Sequence, residues 1–333
     1  TIYKDGKKIV THLVPCGVLH GLMSIIGPGC VINISKFFEE LEYLKSHGFD
    51  TSLVKIAKNC HIVTQEHIDE DSLDTKIGTT KTGNGPAYRD KYARIGKRAI
   101  DFPELEPYII NLTNFIYSSA KNILAEGAQG SLLDVDFGSY PFVTSSNTIT
   151  AGACTGLGVA PKNIGEVFGI FKAYATRVGS GPFPTELEDE VGERMRVEGR
   201  EFGSTTGRPR RCGWIDLPAL KYAMMINGVT QLIMMKADVL NIFDEIQVCT
   251  AYEMPDGTIT DQIPFEITDI KVKPVYETLK GWACSLEGMR DFNELPVELA
   301  DYIKFLEKHL NLPINFISTG PDREACVLRG SLA

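Results

Sequence analysis

Gln231-Leu232-Ile233-Met234-Met235-Lys236-Ala237-Asp238 is the stretch on which the fold turns. Its apolar run is too short for a helix and stops on charge, the pattern of a buried strand. Just upstream, Asp216 can cap a helix that stops at Asn227-Gly228, so a covering helix feeds this strand. The same alternation repeats outward. Residues 167–175 read as a strand, and residues 122–125 as a short strand broken at Glu126-Gly127-Ala128-Gln129-Gly130. Pro296 starts a helix to about His309, and residues 313–317 form a last strand broken by Gly320-Pro321. Ser35 caps a helix to about His47, with Phe37, Phe38, Leu41 and Leu44 on one face and Gly48 as the stop. Residues 1–10 read as a β-hairpin around Asp5-Gly6. Together these predict an α/β fold with a mostly parallel central sheet flanked by helices. With no repeat and no linker, one continuous domain over 1–333 is expected.

Composition narrows the function. A net charge of −9 speaks against a general nucleic-acid binder, which needs a basic surface to displace counterions. No apolar run approaches the roughly 20 residues of a membrane helix. The cysteines are scattered without a CxxC pair and the histidines do not cluster with them, so no zinc site is expected. Dispersed thiols suit a reducing cytoplasm.

Five polar segments could carry chemistry, and in open α/β sheets ligands sit at the carboxyl ends of strands. Lys236-Ala237-Asp238 follows a strand; its carboxylate can accept from both N1–H and the 2-amino group of guanine. The Lys stem can lie across the purine while its ammonium stays wet. An ordinary charged strand end is the plainer reading. Ser318-Thr319-Gly320-Pro321-Asp322-Arg323 could complete a base pocket, or be a turn. Gly203-Ser204-Thr205-Thr206-Gly207-Arg208-Pro209-Arg210-Arg211 sets hydroxyls beside guanidiniums, which suits a small polyanion. A solvated loop or a nucleic-acid patch is the alternative. Gly78-Thr79-Thr80-Lys81-Thr82-Gly83-Asn84-Gly85-Pro86-Ala87-Tyr88, with Arg94 beyond it, permits close backbone approach to a phosphate, or is a surface loop. Last, Gln129, within Glu126-Gly127-Ala128-Gln129-Gly130, could offer a buried amide to a purine edge, with Asp134-Val135-Asp136 and Tyr140-Pro141-Phe142-Val143-Thr144-Ser145-Ser146-Asn147 following; a simple turn is the other reading.

In this order the segments resemble the adenylosuccinate synthetase family. The stretches that carry the likeness are GTT, GPAY, EGAQG, YPFVTSSNT, KAYATRVGSGPFPTE, EFGSTTGRPRR, KADVL and ISTGPDR. The resemblance implies a P-loop-type α/β fold and GTP- and Mg2+-dependent joining of IMP and L-aspartate through 6-phosphoryl-IMP. It implies that Thr80, Arg94, Gln129, Thr144, Val178 and Arg208 hold IMP, with Gln129 at the reacting purine. Ser204, Thr205, Thr206, Arg208 and Arg210 would hold aspartate. Thr1, Arg210, Lys236, Asp238, Ser318, Gly320 and Pro321 would hold GTP. Arg94 would act across a homodimer interface, in the cytoplasm, with no nucleic-acid or membrane partner.

The family's GDEGKGK phosphate loop and GGxNAGHT segment would stand before Thr1, about 30–40 residues by the size of a βα unit. The family's base Asp and partner His fall there, so no metal ligand is expected from Thr1 onward, and this stretch alone is expected to be inactive. Lys81 stands where many members have Gly, Phe137 replaces a common His, and the chain is short between Arg94 and Glu126. The alternatives are a noncatalytic purine-nucleotide-binding protein, or a relative that ligates aspartate to another purine nucleotide such as dGMP.

Overall fold

Apolar runs and amphipathic stretches resolve into short strands, many of them parallel, with α-helices between several of them. The computed structural model describes residues 2–4, 7–75, 78–119, 121–203 and 207–330. Two compact units divide the chain, residues 9–164 with 1–2, and residues 165–333 with 3–8.

Strands β1 (Ile2–Lys4) and β2 (Lys7–Ile9) pair as a two-stranded sheet, and the expected Asp5-Gly6 turn lies outside the described residues. Residues 9–164 hold β3 (Ser24–Ile26), β4 (Val31–Ile32), α1 (Ile34–Ser46), β5 (Val54–Ala57), β6 (His61–Ile62), α2 (Gln65–Ser72), α3 (Asn84–Ala93), β7 (Ile109–Ile110), α4 (Leu112–Ser118) and α5 (Ala151–Leu157). Strands β3, β5 and β7 are parallel, as are β4 and β6. Helix α1 buries Phe37, Leu41 and Leu44 as its periodicity predicts. Its cap is Asn33 rather than Ser35: β4 ends at Ile32, and the Asn33 side chain accepts from Lys36 N–H at 3.0 Å.

Residues 122–125, expected as a strand, are exposed and carry no ladder. An apolar run forms a strand only if another strand lies beside it to take its backbone hydrogen bonds.

The second unit holds β8 (Phe168–Lys172), β9 (Ala175–Arg177), α6 (Glu190–Glu198), β10 (Arg211–Gly213), β11 (Ile215–Asp216), α7 (Leu217–Asn227), β12 (Gln231–Met235), β13 (Glu245–Glu253), β14 (Ile259–Thr260), β15 (Lys273–Lys280), α8 (Val297–Leu310), β16 (Ile314–Ser318) and β17 (Cys326–Leu328). The capped helix and strand read at 216–235 are α7, with Gly228 left-handed at its end, and β12. The run 167–175 is not one strand: it breaks after Lys172, and Ala173 and Tyr174 turn into the core.

One sheet has the order β17-β16-β12-β8, with β12 parallel to both neighbours. Residues 313–317 hold the strand expected there, β16, but β17 follows and pairs with it antiparallel, so β16 is not the last. A second sheet sets β13 between parallel β11 and antiparallel β15. Leu232, Met234, Ile314 and Ile317 pack with Leu299, Ile303 and Leu306 of α8. Fully burying each contributes about 1.5–3 kcal/mol. This core fixes the register, which sets Met235 opposite Lys172 and Met234 opposite Ile317. The carboxyl ends of β8, β12 and β16 therefore lie side by side. Among the described residues no helix is long and apolar enough to cross a membrane.

Candidate functional site

At that strand end Lys236 takes a left-handed conformation (φ 63°), which turns the chain sharply into the 3-10 turn Ala237–Ile242. Asp238 lies in its first turn, half-buried, and burial raises its carboxyl above the ordinary value. On neighbouring β16, Ser318 and Thr319 are both 4% exposed. The Ser318 hydroxyl donates to the Gly320 carbonyl at 2.9 Å, while Thr319 Oγ1 is buried without a partner. Lys236, Asp238, Ser318 and Gly320 thus follow the ends of adjacent parallel strands. Pro321 is exposed in the following turn.

The Lys236 side chain is about one-third exposed, and its ammonium also has protein acceptors, which the stem-on-purine reading did not foresee. Nζ donates to the Gly199 carbonyl at 2.6 Å and to Glu201 Oε1 at 2.8 Å. Lys172 Nζ and the Tyr174 hydroxyl also donate to Oε1, at 2.8 and 2.5 Å. Arg210 Nη1 takes Oε2 at 2.6 Å, so the Arg210 guanidinium is anchored rather than waving on a loop. Burial disfavours the Glu201 charge, but Lys172, Lys236 and Tyr174 outweigh it and hold the carboxyl at about 2. Burial also lowers Lys172, partly offset by Glu201.

The backbone on either side of residues 204–206 is paired. Gly203 N–H donates to the Arg208 carbonyl at 2.8 Å, and Arg210 N–H to the Glu201 carbonyl at 2.8 Å. Arg208, whose carbonyl takes part in this pairing, is exposed. Ser204, Thr205 and Thr206, like Thr1, lie outside the described residues. Arg211 faces away from the loop, pairing with Glu186 and donating to the Gly181 carbonyl at 2.8 Å. It stands beside Arg177, which burial and this neighbour push down to about 10. Val178 follows β9, half exposed.

In the first unit, the segment 78–88 is only partly loop, because residues from Asn84 onward form α3. Gly83, left-handed at φ 79°, caps it and donates its N–H to buried Asp71 at 2.8 Å. A Cβ there would lie 2.8 Å from the Ile68 nitrogen of α2, so only glycine lets the two helices meet. Thr80 is exposed, its hydroxyl 2.9 Å from that of Thr82. Arg94 is exposed and left-handed at the other end of α3.

Gln129 is also left-handed (φ 64°) and exposed, not buried as its purine-edge reading supposed. The loop after it is organised by Asp134, 0% exposed. Oδ1 accepts from Asp136 and Phe137 N–H at 3.0 and 3.1 Å. Oδ2 accepts from Thr148 and Ile149 N–H at 2.6 and 3.3 Å. Thr144 N–H donates to Leu133 at 2.8 Å within this frame. A Cβ on Gly85 would stand 3.4 Å from Ser145 Oγ, so the Thr80–α3 segment and the Thr144 segment touch.

Glu201, Lys172, Tyr174, Thr319 and Asp134 lie within or beside the motif stretches quoted above, but nothing in those stretches gave them a role; Asp71 lies outside them. Only the crowding of three cations in and around the 203–211 loop hinted that an acid must lie near them. Among the described residues no group of three or more His, Cys, Asp or Glu side chains converges as a metal seat.

A parallel sheet with polar, glycine-containing turns at its strand ends defines an α/β protein of the kind that seats ligands at those ends. A family profile described as adenylosuccinate synthetase matches residues 1–106 and 102–327. An adenylosuccinate synthetase from Cytophaga hutchinsonii is 48% identical, covering 99% of this chain and 89% of the relative. One from Christiangramia forsetii is 47% identical over 99% and 90%. A fully ligated adenylosuccinate synthetase from Plasmodium falciparum superposes with TM-score 0.91 at 34% identity, covering 99% of this chain and 90% of that one. A cyanophage S-2L succinoaminodeoxyadenylate synthetase, bound to dGMP and dATP, is 20% identical at TM-score 0.68, covers 99% and 83%, and shares the fold. The chain belongs to the adenylosuccinate synthetase family. The Cytophaga alignment runs over 384 positions against 333 residues here, so the relative has length that this chain lacks. The two pieces of the profile meet at 102–106, inside the stretch read as short.

Proposed function

We propose that this protein ligates IMP and L-aspartate to adenylosuccinate at the expense of GTP, the step that leads IMP toward AMP. The γ-phosphoryl passes to the purine O6 and GDP leaves; the aspartate nitrogen then bonds to C6 and inorganic phosphate leaves. Phosphorylation is needed because a purine oxygen is otherwise a poor leaving group. The observation that carries this reading is Lys236-x-Asp238 beside Ser318–Gly320 on adjacent parallel strand ends, within a chain of this family.

In this reading Asp238 accepts from guanine N1–H and the 2-amino group, Lys236 covers the ring, and Ser318, Gly320 and Pro321 close the pocket. Arg210, next to Lys236 on Glu201, serves both GTP and aspartate, with Thr1 a further GTP contact. Loop residues Ser204, Thr205, Thr206 and Arg208 take the aspartate carboxylates. Thr80, Gln129, Thr144, Val178 and Arg208 hold IMP, with Gln129 at the reacting purine. Arg94 reaches the IMP phosphate of a second copy; exposed Tyr92 and Ile95 beside it suit a homodimer contact. GTP enters as its Mg2+ complex, the metal supplying charge neutralisation on the phosphates. The whole chain reads as one synthetase domain working in the cytoplasm. Neither the noncatalytic reading nor the dGMP reading is favoured.

Asp238→Asn tests the base assignment. Xanthine keeps N1–H but has a carbonyl in place of the 2-amino group, so an amide complements it. GTP should lose about 100-fold or more in kcat/KM while XTP gains. Equal loss on both nucleotides would refute Asp238 as the base reader.

A further inference from the structure

Glu201 has no part in the binding roles above, yet it is fully buried and bonds four side chains. Three donors crowd Oε1 and one takes Oε2, and in such a buried network removing a partner is felt by the rest. Its two oxygens serve different elements. Oε2 takes Arg210, and the Glu201 carbonyl takes the Arg210 N–H, so this residue holds together the backbone on either side of residues 204–206. A bridge between Phe202 and Pro209 lies next to that pairing. Oε1 takes Lys236, two residues before Asp238. Gly199 completes the junction: its carbonyl accepts from Lys236, and a Cβ on it would lie 2.3 Å from the Tyr174 hydroxyl.

We infer that Glu201 is a positioning residue that couples the amino-acid loop to the purine-reading turn. When a carboxylate ligand draws Arg210 off Oε2, the Glu201 charge falls more fully on Lys172 and Lys236. The Lys236 stem is then held more firmly over the base. The amino acid thus tightens the nucleotide, and by linkage the nucleotide tightens the amino acid. The inference rests on the ligase reading above.

The test is equilibrium binding of GDP at saturating IMP, with and without L-aspartate, a mixture in which no phosphoryl transfer takes place. Turnover of IMP, GTP and aspartate by the wild type is measured first; its absence sinks the ligase reading itself. Aspartate should tighten GDP about five-fold or more in the wild type, the low end of ordinary intersite coupling. In Glu201→Gln that ratio should fall toward one. Tyr174→Phe removes one donor from Oε1 without touching a substrate contact, and should lower the ratio part of the way. It carries the test if the glutamine variant does not fold. A merely structural Glu201 would lower Tm and weaken GDP equally with and without aspartate. That unchanged ratio in both variants, or a wild-type ratio of one, overturns the coupling while leaving the ligase reading standing.

Discussion

Replacing Asp134 with Asn removes one acceptor oxygen from a carboxylate that four backbone N–H groups share. The amide oxygen can keep one pair, Asp136 with Phe137 or Thr148 with Ile149. The amide nitrogen must then face the other pair, donor against donor, in a side chain with no exposure. Two charge-assisted bonds at about 1.5–3 kcal/mol each make a loss of about 3–6 kcal/mol. At roughly 2–4 °C per kcal/mol for a unit of this size, Tm should fall by roughly 10–20 °C. Thermal melts of wild type and Asp134→Asn, followed by circular dichroism, give the number. In parallel, the loop that carries Thr144 should loosen, and the KM for IMP should rise more than that for GTP. A Tm within about 2 °C of wild type would refute the reasoning, because under 1 kcal/mol cannot accommodate two stranded buried donors.

Other outcomes follow from single groups. Burial raises Asp216 from the ordinary 3.8 to about 6, against the hydrogen bonds from Tyr252 at 2.7 and 2.6 Å. Its folded pKa is the higher one, so its contribution is full below pH 4 and lost as pH rises through 6, on the order of 3 kcal/mol. Asp216→Asn keeps an N-cap but abolishes this slope, so urea melts at pH 4.5 and 7.5 should show wild type gaining on the variant at the acid end; a constant gap would contradict it. Thr319 Oγ1 is buried without a partner, so Thr319→Val should be neutral or stabilising, by up to about 1 kcal/mol. If that hydroxyl instead serves the nucleotide, the KM for GTP rises while Tm holds; a drop in Tm with unchanged KM would mean that neither account is right.

What the sequence determined by itself is what neighbouring residues determine. Asp216 caps α7 because its side chain reaches Ala219 N–H three residues on, and Gly228 ends it because glycine takes the left-handed turn freely. The apolar tetrad 232–235 declared β12, and the charge after it declared a strand end. Long motifs of odd composition marked the family, since their spacing is read along the chain.

Only the tertiary structure decided which distant groups share a point in space. Glu201 meets Lys172 from 29 residues before it and Lys236 from 35 residues after it, because parallel pairing aligns the ends of β8 and β12. Asp134 gathers Thr148 from 14 residues away. Residues 122–125 are as apolar as the runs that became strands, yet remain exposed. Propensity is local, whereas a strand needs a partner and a buried charge needs its counterions, and both are supplied by chain closure that no local pattern encodes.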